Sequence, residues 1–200
     1  MDRRGYAEVF DSFQAKEDPW GNPSSRRSMF KALLSWVATR RYKRILEVGC
    51  SGGYFTDMLV KADLGRVWAL DVSTVAVERA RSRYPSHTFV VGDVRDIKEL
   101  FDFSFDLILC MDVLYYLTTA DLDELFEAFM DRLTPKGRLL AVLHLDDSTS
   151  LTGTNFTTIN EHCKSLFGDP RFKKVCMWPD TGWGKAVYFV EMQEIGDDEV

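Results

Sequence analysis

The chain has 200 residues, 46% of them hydrophobic and 13% aromatic, enough to bury a sizeable core in one domain of ordinary size. A formal charge of −6 and a pI near 5.1 exclude the broad basic face by which proteins grip nucleic acid. None of the four cysteines has C-x-x-C spacing, and no apolar run reaches the roughly 18 residues of a membrane span. These features predict a reduced, cytoplasmic protein with no metal site, no secretory leader and no membrane contact.

Residues 1–24 are read as an N-terminal arm, 25–195 as the core and 196–200 as an acidic tail. The arm carries Tyr6, Phe10, Phe13 and Trp20 without a strand period. That much aromatic surface must cover something, which predicts a lid-like segment over a cleft. From Ser25 to Arg40, Met29, Phe30, Leu33, Leu34, Trp36 and Val37 share one helical face. Arg44 to Val48 reads as a first strand stopped by Gly49. Phe55, Met58, Leu59 and Ala62 then mark a second helix.

Val67 to Leu70 is a second strand ended by Asp71, and Ser73 caps a helix running to about Tyr84. Phe89 to Val91 and Phe105 to Cys110 are the third and fourth strands. The clearest helix starts near Thr119, with Leu122, Leu125, Phe126, Phe129, Met130 and Leu133 in register. Thr134 to Gly137 reads as a turn before a fifth strand, Arg138 to Leu143. Ile159 to Phe167 suits a short helix. Phe172 to Trp178 and Ala186 to Met192 suit two strands joined too closely for a helical crossover, so they pair antiparallel. The alternation predicts an α/β class fold: a doubly wound, mostly parallel sheet with a C-terminal antiparallel strand pair.

Chemistry concentrates where the first three strands end. Glu47-Val48-Gly49-Cys50-Ser51-Gly52-Gly53 is a strand end, an acid and a glycine-rich turn opening a helix. Such turns lie at the carboxyl ends of strands, where ligands bind in open α/β sheets. Asp71 ends the next strand, where a carboxylate can accept both hydroxyls of a ribose. Asp93 follows the third, where it can meet an adenine amino group. The order describes a nucleoside cradle.

Residues 44–116 resemble class I S-adenosylmethionine-dependent methyltransferases. Their first motif, an acid followed by G-x-G-x-G, stands here as Glu47 to Gly53 with Ser51 in the middle glycine place. Asp71 matches that family's ribose acid and Gly92-Asp93-Val94 its adenine segment. Asp106-Leu107-Ile108 and Asp112 to Tyr116 match its fourth-strand motif. The E-x-G-C-S-x-G form, with Asp18-Pro19-Trp20 upstream, resembles the nodulation-protein-S-like group. Members of that group methylate the free amine of a glucosamine-containing oligosaccharide.

The resemblance implies S-adenosyl-L-methionine as cofactor and S-adenosyl-L-homocysteine as product. It places Trp20, Glu47, Gly49, Cys50, Ser51, Gly53, Asp71, Val72, Asp93, Val94 and Met111 around the cofactor, with Glu47 at its ammonium end. It implies a Rossmann-like methyltransferase fold and methyl transfer to an amine or hydroxyl of a small molecule, an amino sugar or natural product. Asp112 is expected near the transfer point, with Tyr115 and Tyr116 shaping the acceptor pocket. His144, or Asp146 and Asp147 beyond it, is the base if the nucleophile arrives protonated. Plain structural roles stand beside these: capping for Asp71, core packing for His144, Trp20 and one of the tyrosines.

Partners are thus a small acceptor, no nucleic acid and no membrane, in a monomer or homodimer. A nicotinamide oxidoreductase would need glycine at positions 51 and 54, where Ser51 and Tyr54 stand. A DNA amino-methyltransferase would need D/N-P-P-Y where Met111-Asp112-Val113-Leu114-Tyr115 stands. A non-catalytic subunit that binds the same cofactor remains the main alternative.

Overall fold

In the computed structural model, residues 3–16, 23–145, 148–178 and 185–193 are described. The chain divides into two compact units, Met1–Val94 and Arg95–Val200.

The first unit holds α1 (Arg3–Gln14), α2 (Pro23–Val37), β1 (Arg44–Val48), α3 (Tyr54–Lys61), β2 (Arg66–Asp71), α4 (Thr74–Arg83) and β3 (Thr88–Val91). Its strands run β3-β2-β1, all parallel, with Glu47 opposite Ala69 and Asp71 opposite Val91. Ile45, Leu46, Ala69 and Leu70 are sealed, as near-continuous apolar strands covered by helices require. On α2 the innermost side chains are Met29, Leu33 and Val37, four residues apart. Phe30 stacks obliquely on Phe55 of α3, 5.1 Å between centroids. Ser73 caps α4 as expected, its hydroxyl accepting from the Ala76 amide at 3.1 Å, an interaction of about 1 kcal/mol.

The structure departs from the sequence reading first at the N-terminus. The N-terminal arm contains a regular helix, α1. Tyr6, Phe10 and Gln14 recur every fourth residue and are buried, so its aromatics lie on one helical stripe. α3 also ends at Lys61, leaving Ala62 as an exposed C-cap rather than part of the apolar stripe.

The second unit holds α5 (Ile97–Leu100), β4 (Phe105–Met111), α6 (Thr119–Arg132), β5 (Leu133–His144), α7 (Phe156–Leu166), β6 (Phe172–Trp178) and β7 (Lys185–Met192). Its strands run β4-β5-β7-β6, the first pair parallel and the other two pairs antiparallel. Thr118 and Asp121 form a reciprocal capping box at the start of α6, whose buried face carries Leu122, Leu125, Phe126 and Phe129. The expected turn at Thr134 to Gly137 lies within β5 as a bulge. Phe105 pairs with Leu133 and Leu107 with Arg138, so the intervening residues loop out and Lys136 takes φ 61. The α/β class, the mostly parallel pairing and the antiparallel C-terminal strands are those expected. No helix among the described residues is long and apolar enough to cross a membrane.

Candidate functional site

In the first unit, the loop between β1 and α3 is built on alternating left-handed residues. Gly49, Ser51 and Gly53 have φ 79, 47 and 78. Glycine adopts this region freely, while a serine there costs roughly 1–2 kcal/mol. Gly53 is also tied by packing, since a Cβ there would meet the Phe89 ring at 2.8 Å. The loop is fastened to β2, with the Gly49 and Cys50 amides donating to Leu70 O at 2.8 and 3.1 Å.

Asp71 organises that loop. One carboxylate oxygen accepts from the Ser51 amide at 2.8 Å and the other from the Ser73 amide at 2.9 Å. Each oxygen keeps acceptor capacity for a further donor. Burial pushes its pKa up, against those amide bonds, and the nearby charge of Asp11 adds to the rise. Asp71 thus fastens the Ser51 loop as well as the start of α4.

Glu47 is only 1% exposed and accepts from the Thr56 hydroxyl at 2.6 Å. Burial pushes its pKa up to about 8, the Thr56 bond opposing and the Asp71 charge assisting. Cys50 is buried beside it, its thiol held well above the usual range by burial, which makes it inert as a nucleophile. Val72 and Asp93 are half-buried at the ends of β2 and β3, and Val94 is buried. Trp20 lies outside the described residues.

Sequence reasoning missed two contributors from α1. Gln14 Nε2 donates to the Ser51 hydroxyl at 3.0 Å, and the Arg79 guanidinium donates to the Gln14 carbonyl. Asp11 accepts from the Ser73 hydroxyl at 2.6 Å and the Val75 amide at 3.2 Å, at the start of α4.

In the second unit, Met111 ends β4 and Asp112 follows it in the left-handed region, φ 58. Tyr115 and Tyr116 sit in a 3-10 turn and are both buried, so neither is the surface residue of the plain alternative. Thr152 and Thr154 donate to their carbonyls. Tyr115 packs 4.5 Å from Phe156 and 5.2 Å from His144, centroid to centroid. Asp146 and Asp147 lie outside the described residues. Lys185, absent from the sequence reading, reaches both Asp112 and His144. Its only sequence signal is a lysine opening an apolar strand.

No cluster of three or more His, Cys, Asp or Glu able to hold a metal occurs among the described residues.

Residues 45–137 match a family profile described as a methyltransferase domain. Nodulation protein S of Rhizobium tropici is 36% identical over 135 residues, 63% of this chain and 55% of that protein. Nodulation protein S of Sinorhizobium fredii is 29% identical over 131 residues, 63% of this chain and 60% of that protein. The matches thus span little more than half the length of these relatives. Among solved structures, the N-methyltransferase NodS from Bradyrhizobium japonicum, in complex with S-adenosyl-L-homocysteine, superposes with TM-score 0.72 at 22% identity. That match covers 94% of this chain and 98% of that one. Magnesium protoporphyrin IX methyltransferase from Synechocystis, with bound S-adenosylmethionine, gives TM-score 0.74 at 14% identity, covering 96% and 98%. The expected resemblance to class I methyltransferases of the nodulation-protein-S-like kind holds, as does the Rossmann-like methyltransferase fold.

Proposed function

We propose that this chain, whose residues 45–137 match a methyltransferase domain, transfers the methyl group of S-adenosylmethionine to an amine of a small molecule, an amino sugar by class. The observation that carries the reading is the pairing of the left-handed Gly49-Ser51-Gly53 loop with Asp71. The residues fit the cofactor. Backbone groups that lack bulky side chains suit close approach to a methionine moiety. The Asp71 carboxylate, already fixed by two amides, suits a ribose diol. Asp93 and Val94 suit the adenine, and Cys50, Val72 and Met111 suit apolar contact with the nucleoside. Glu47 and Trp20 are assigned to the methionine end; in the free protein Glu47 holds its proton near neutrality.

The bound cofactor supplies a sulfonium methyl group already activated for displacement. With the methyl group supplied in that form, the chain's own contribution is alignment and proton handling. Alignment alone supplies roughly 7–11 kcal/mol in well-oriented systems. A protonated amine has no lone pair to attack with, so a base must first take its proton. Asp112, Tyr115 and His144 are the residues assigned to the acceptor side. The amine, rather than a hydroxyl, is favoured by likeness to relatives named as N-methyltransferase and nodulation protein S.

The test is calorimetry followed by transfer of labelled methyl groups. S-adenosylhomocysteine should bind and NAD should not, and label should pass to the free amine of a glucosamine-terminated chitooligosaccharide. Tighter binding of NAD would end the assignment. Binding of S-adenosylhomocysteine without transfer to any amine would leave the non-catalytic subunit.

A further inference from the structure

The segment leading into α7 is rich in hydroxyls. Ser148 to Asn155 folds back on itself as a small hairpin, with Thr149 bridged antiparallel to Asn155. The Ser150 amide donates to the Thr154 carbonyl at 2.8 Å, and the Gly153 amide to the Ser150 carbonyl at 3.0 Å. Gly153, at φ 87, supplies the left-handed residue that the tip requires. The Ser150 hydroxyl accepts from the Thr152 and Thr154 amides, both at 3.2 Å. It also lies 2.8 and 2.7 Å from the two threonine hydroxyls. Ser150 is buried, so these bonds form away from bulk water, where they are stronger.

The same two threonines reach a second element. Thr152 Oγ1 donates to the Tyr116 carbonyl at 2.7 Å, and Thr154 Oγ1 donates to the Tyr115 carbonyl. A carbonyl only accepts, so both threonine protons are committed to it, and Ser150 shares its single proton between the two threonine oxygens. The element they grip is the 3-10 turn Leu114–Tyr116. Within it, the Tyr116 amide donates to Val113 O at 3.0 Å and the Leu117 amide to Leu114 O at 3.1 Å. A single 3-10 turn holds itself weakly, and the carbonyls at its end need partners from outside it.

The hairpin runs straight into α7. Asn155 caps that helix, its side chain accepting from the Thr158 amide at 3.0 Å. Phe156 packs 4.5 Å from the Tyr115 ring and 5.2 Å from the His144 ring, centroid to centroid. Asn160, one helical turn on, donates to the His144 carbonyl. One continuous segment, 148–160, therefore grips both the turn after β4 and the end of β5. Those two places carry Tyr115 and His144, the residues assigned above to the acceptor side.

We propose that Thr152 and Thr154 are positioning residues for methyl transfer: by holding the Tyr115 and Tyr116 carbonyls, they fix the two rings against which the acceptor is oriented. This rests on the amine reading above. The rings lie 4.6 Å apart at 56° and belong to one short turn, so a shift of its backbone carries both. The threonines act through the tyrosines rather than on the reacting atoms. An in-line displacement is sensitive to such shifts, since a misplacement of about 1 Å can cost roughly a hundredfold in rate.

The test pairs removal of the hydroxyls with their restoration. Thr152→Val with Thr154→Val keeps the shape of both side chains but leaves two carbonyls without these donors. Thr152→Ser with Thr154→Ser keeps the donors. Fluorotyrosine NMR follows the turn without turnover, because the chain has seven tyrosines and Tyr115→Phe and Tyr116→Phe assign the two signals. Both signals should move in the valine pair and return toward their wild-type positions in the serine pair, while that of Tyr42 stays in place. On the glucosamine-terminated chitooligosaccharide, the valine pair should lose about tenfold or more in kcat/KM at unchanged S-adenosylhomocysteine affinity and stoichiometry. The serine pair should recover most of that loss. Unmoved Tyr115 and Tyr116 signals in the folded valine pair overturn the proposal. So does a fall in kcat matched by an equal fall in S-adenosylhomocysteine stoichiometry at unchanged KM, the mark of a smaller folded fraction. If the valine pair does not fold, each single valine variant is read in the same way. Should the wild-type protein bind S-adenosylhomocysteine but leave the amino sugar unmethylated, the amine reading fails, while the fluorine signals still decide whether the threonines set the turn.

Discussion

Gln14 and Ser51, 37 positions apart in the chain, are joined by a 3.0 Å hydrogen bond from the amide side chain to the hydroxyl. Ser51 occupies the one place in the glycine loop where its backbone is strained, φ 47. The bond gives that serine a use that a glycine could not have. It also ties the N-terminal helix to the loop assigned to the cofactor.

The first prediction separates strain from bonding. Ser51→Gly removes both, and Ser51→Ala removes the bond but keeps the strain. The strain is worth roughly 1–2 kcal/mol and the bond about 0.5–1.5 kcal/mol. Ser51→Gly should therefore be near neutral, and Ser51→Ala should be destabilised by about 1 kcal/mol. Chemical denaturation of both variants checks this. Equal stability of the glycine and alanine variants would remove strain from the account.

The second prediction concerns Glu47. Its carboxyl titrates near 8 in the folded chain against an ordinary value of 4.5. Between those values the folded state binds more protons than the unfolded chain, so stability falls as pH rises. The favourable contribution is complete below the ordinary value and is lost as pH climbs through the folded one. The slope is at most about 1.4 kcal/mol per pH unit. Glu47→Gln keeps an acceptor for Thr56 and cannot ionise. Relative to wild type it should gain stability from about pH 5 to pH 8, measured by denaturant midpoints. A constant difference across that range would mean Glu47 is ionised when buried.

The third prediction follows from Asp71 bonding to two amides on opposite sides. Asp71→Ala would disturb the loop itself, so Asp71→Asn is the sharper probe. It retains one acceptor oxygen and loses the charge. Charge-assisted bonds are worth about 1.5–3 kcal/mol, so S-adenosylhomocysteine affinity should drop about tenfold or more. Calorimetry on the folded variant reads it. Unchanged affinity would reduce Asp71 to a loop fastener.

Much of this was legible because local signals agreed with the fold. β1 has the limits that its apolar run and Gly49 announce, and Ser73 and Thr118 cap the helices that follow them. α1 escaped because its stripe of Tyr6, Phe10 and Gln14 ends in a polar residue. The buried face of a helix is set by what covers it, and Gln14 is covered because Ser51 and Arg79 give it partners. Lys185 escaped for a different reason. Which residue faces His144 depends on strand pairing over 41 positions, which no local periodicity encodes. Thr134 to Gly137 had the right residues for a turn, and the pairing of β4 with β5 made it a bulge.

The last prediction concerns α1 and the lid-like role expected of the N-terminal arm. Asp11 stands at the start of α4, accepting from the Ser73 hydroxyl and the Val75 amide, where a carboxylate is favoured by the helix dipole. Its charge also raises the pKa of Asp71, so docking of α1 bears directly on the carboxylate assigned to the ribose. Gln14 reaches the loop from the same helix. A ligand that orders the Ser51 loop and draws hydrogen bonds onto Asp71 should therefore tighten α1 in its seat. Hydrogen exchange across residues 3–14 should slow several-fold when S-adenosylhomocysteine is added. Gln14→Ala should weaken that protection while leaving α4 unaffected, and by linkage the same variant should bind the ligand several-fold less tightly. Protection of α1 that is identical with and without ligand, in a protein that binds it, would make the helix a fixed part of the core and end the lid reading.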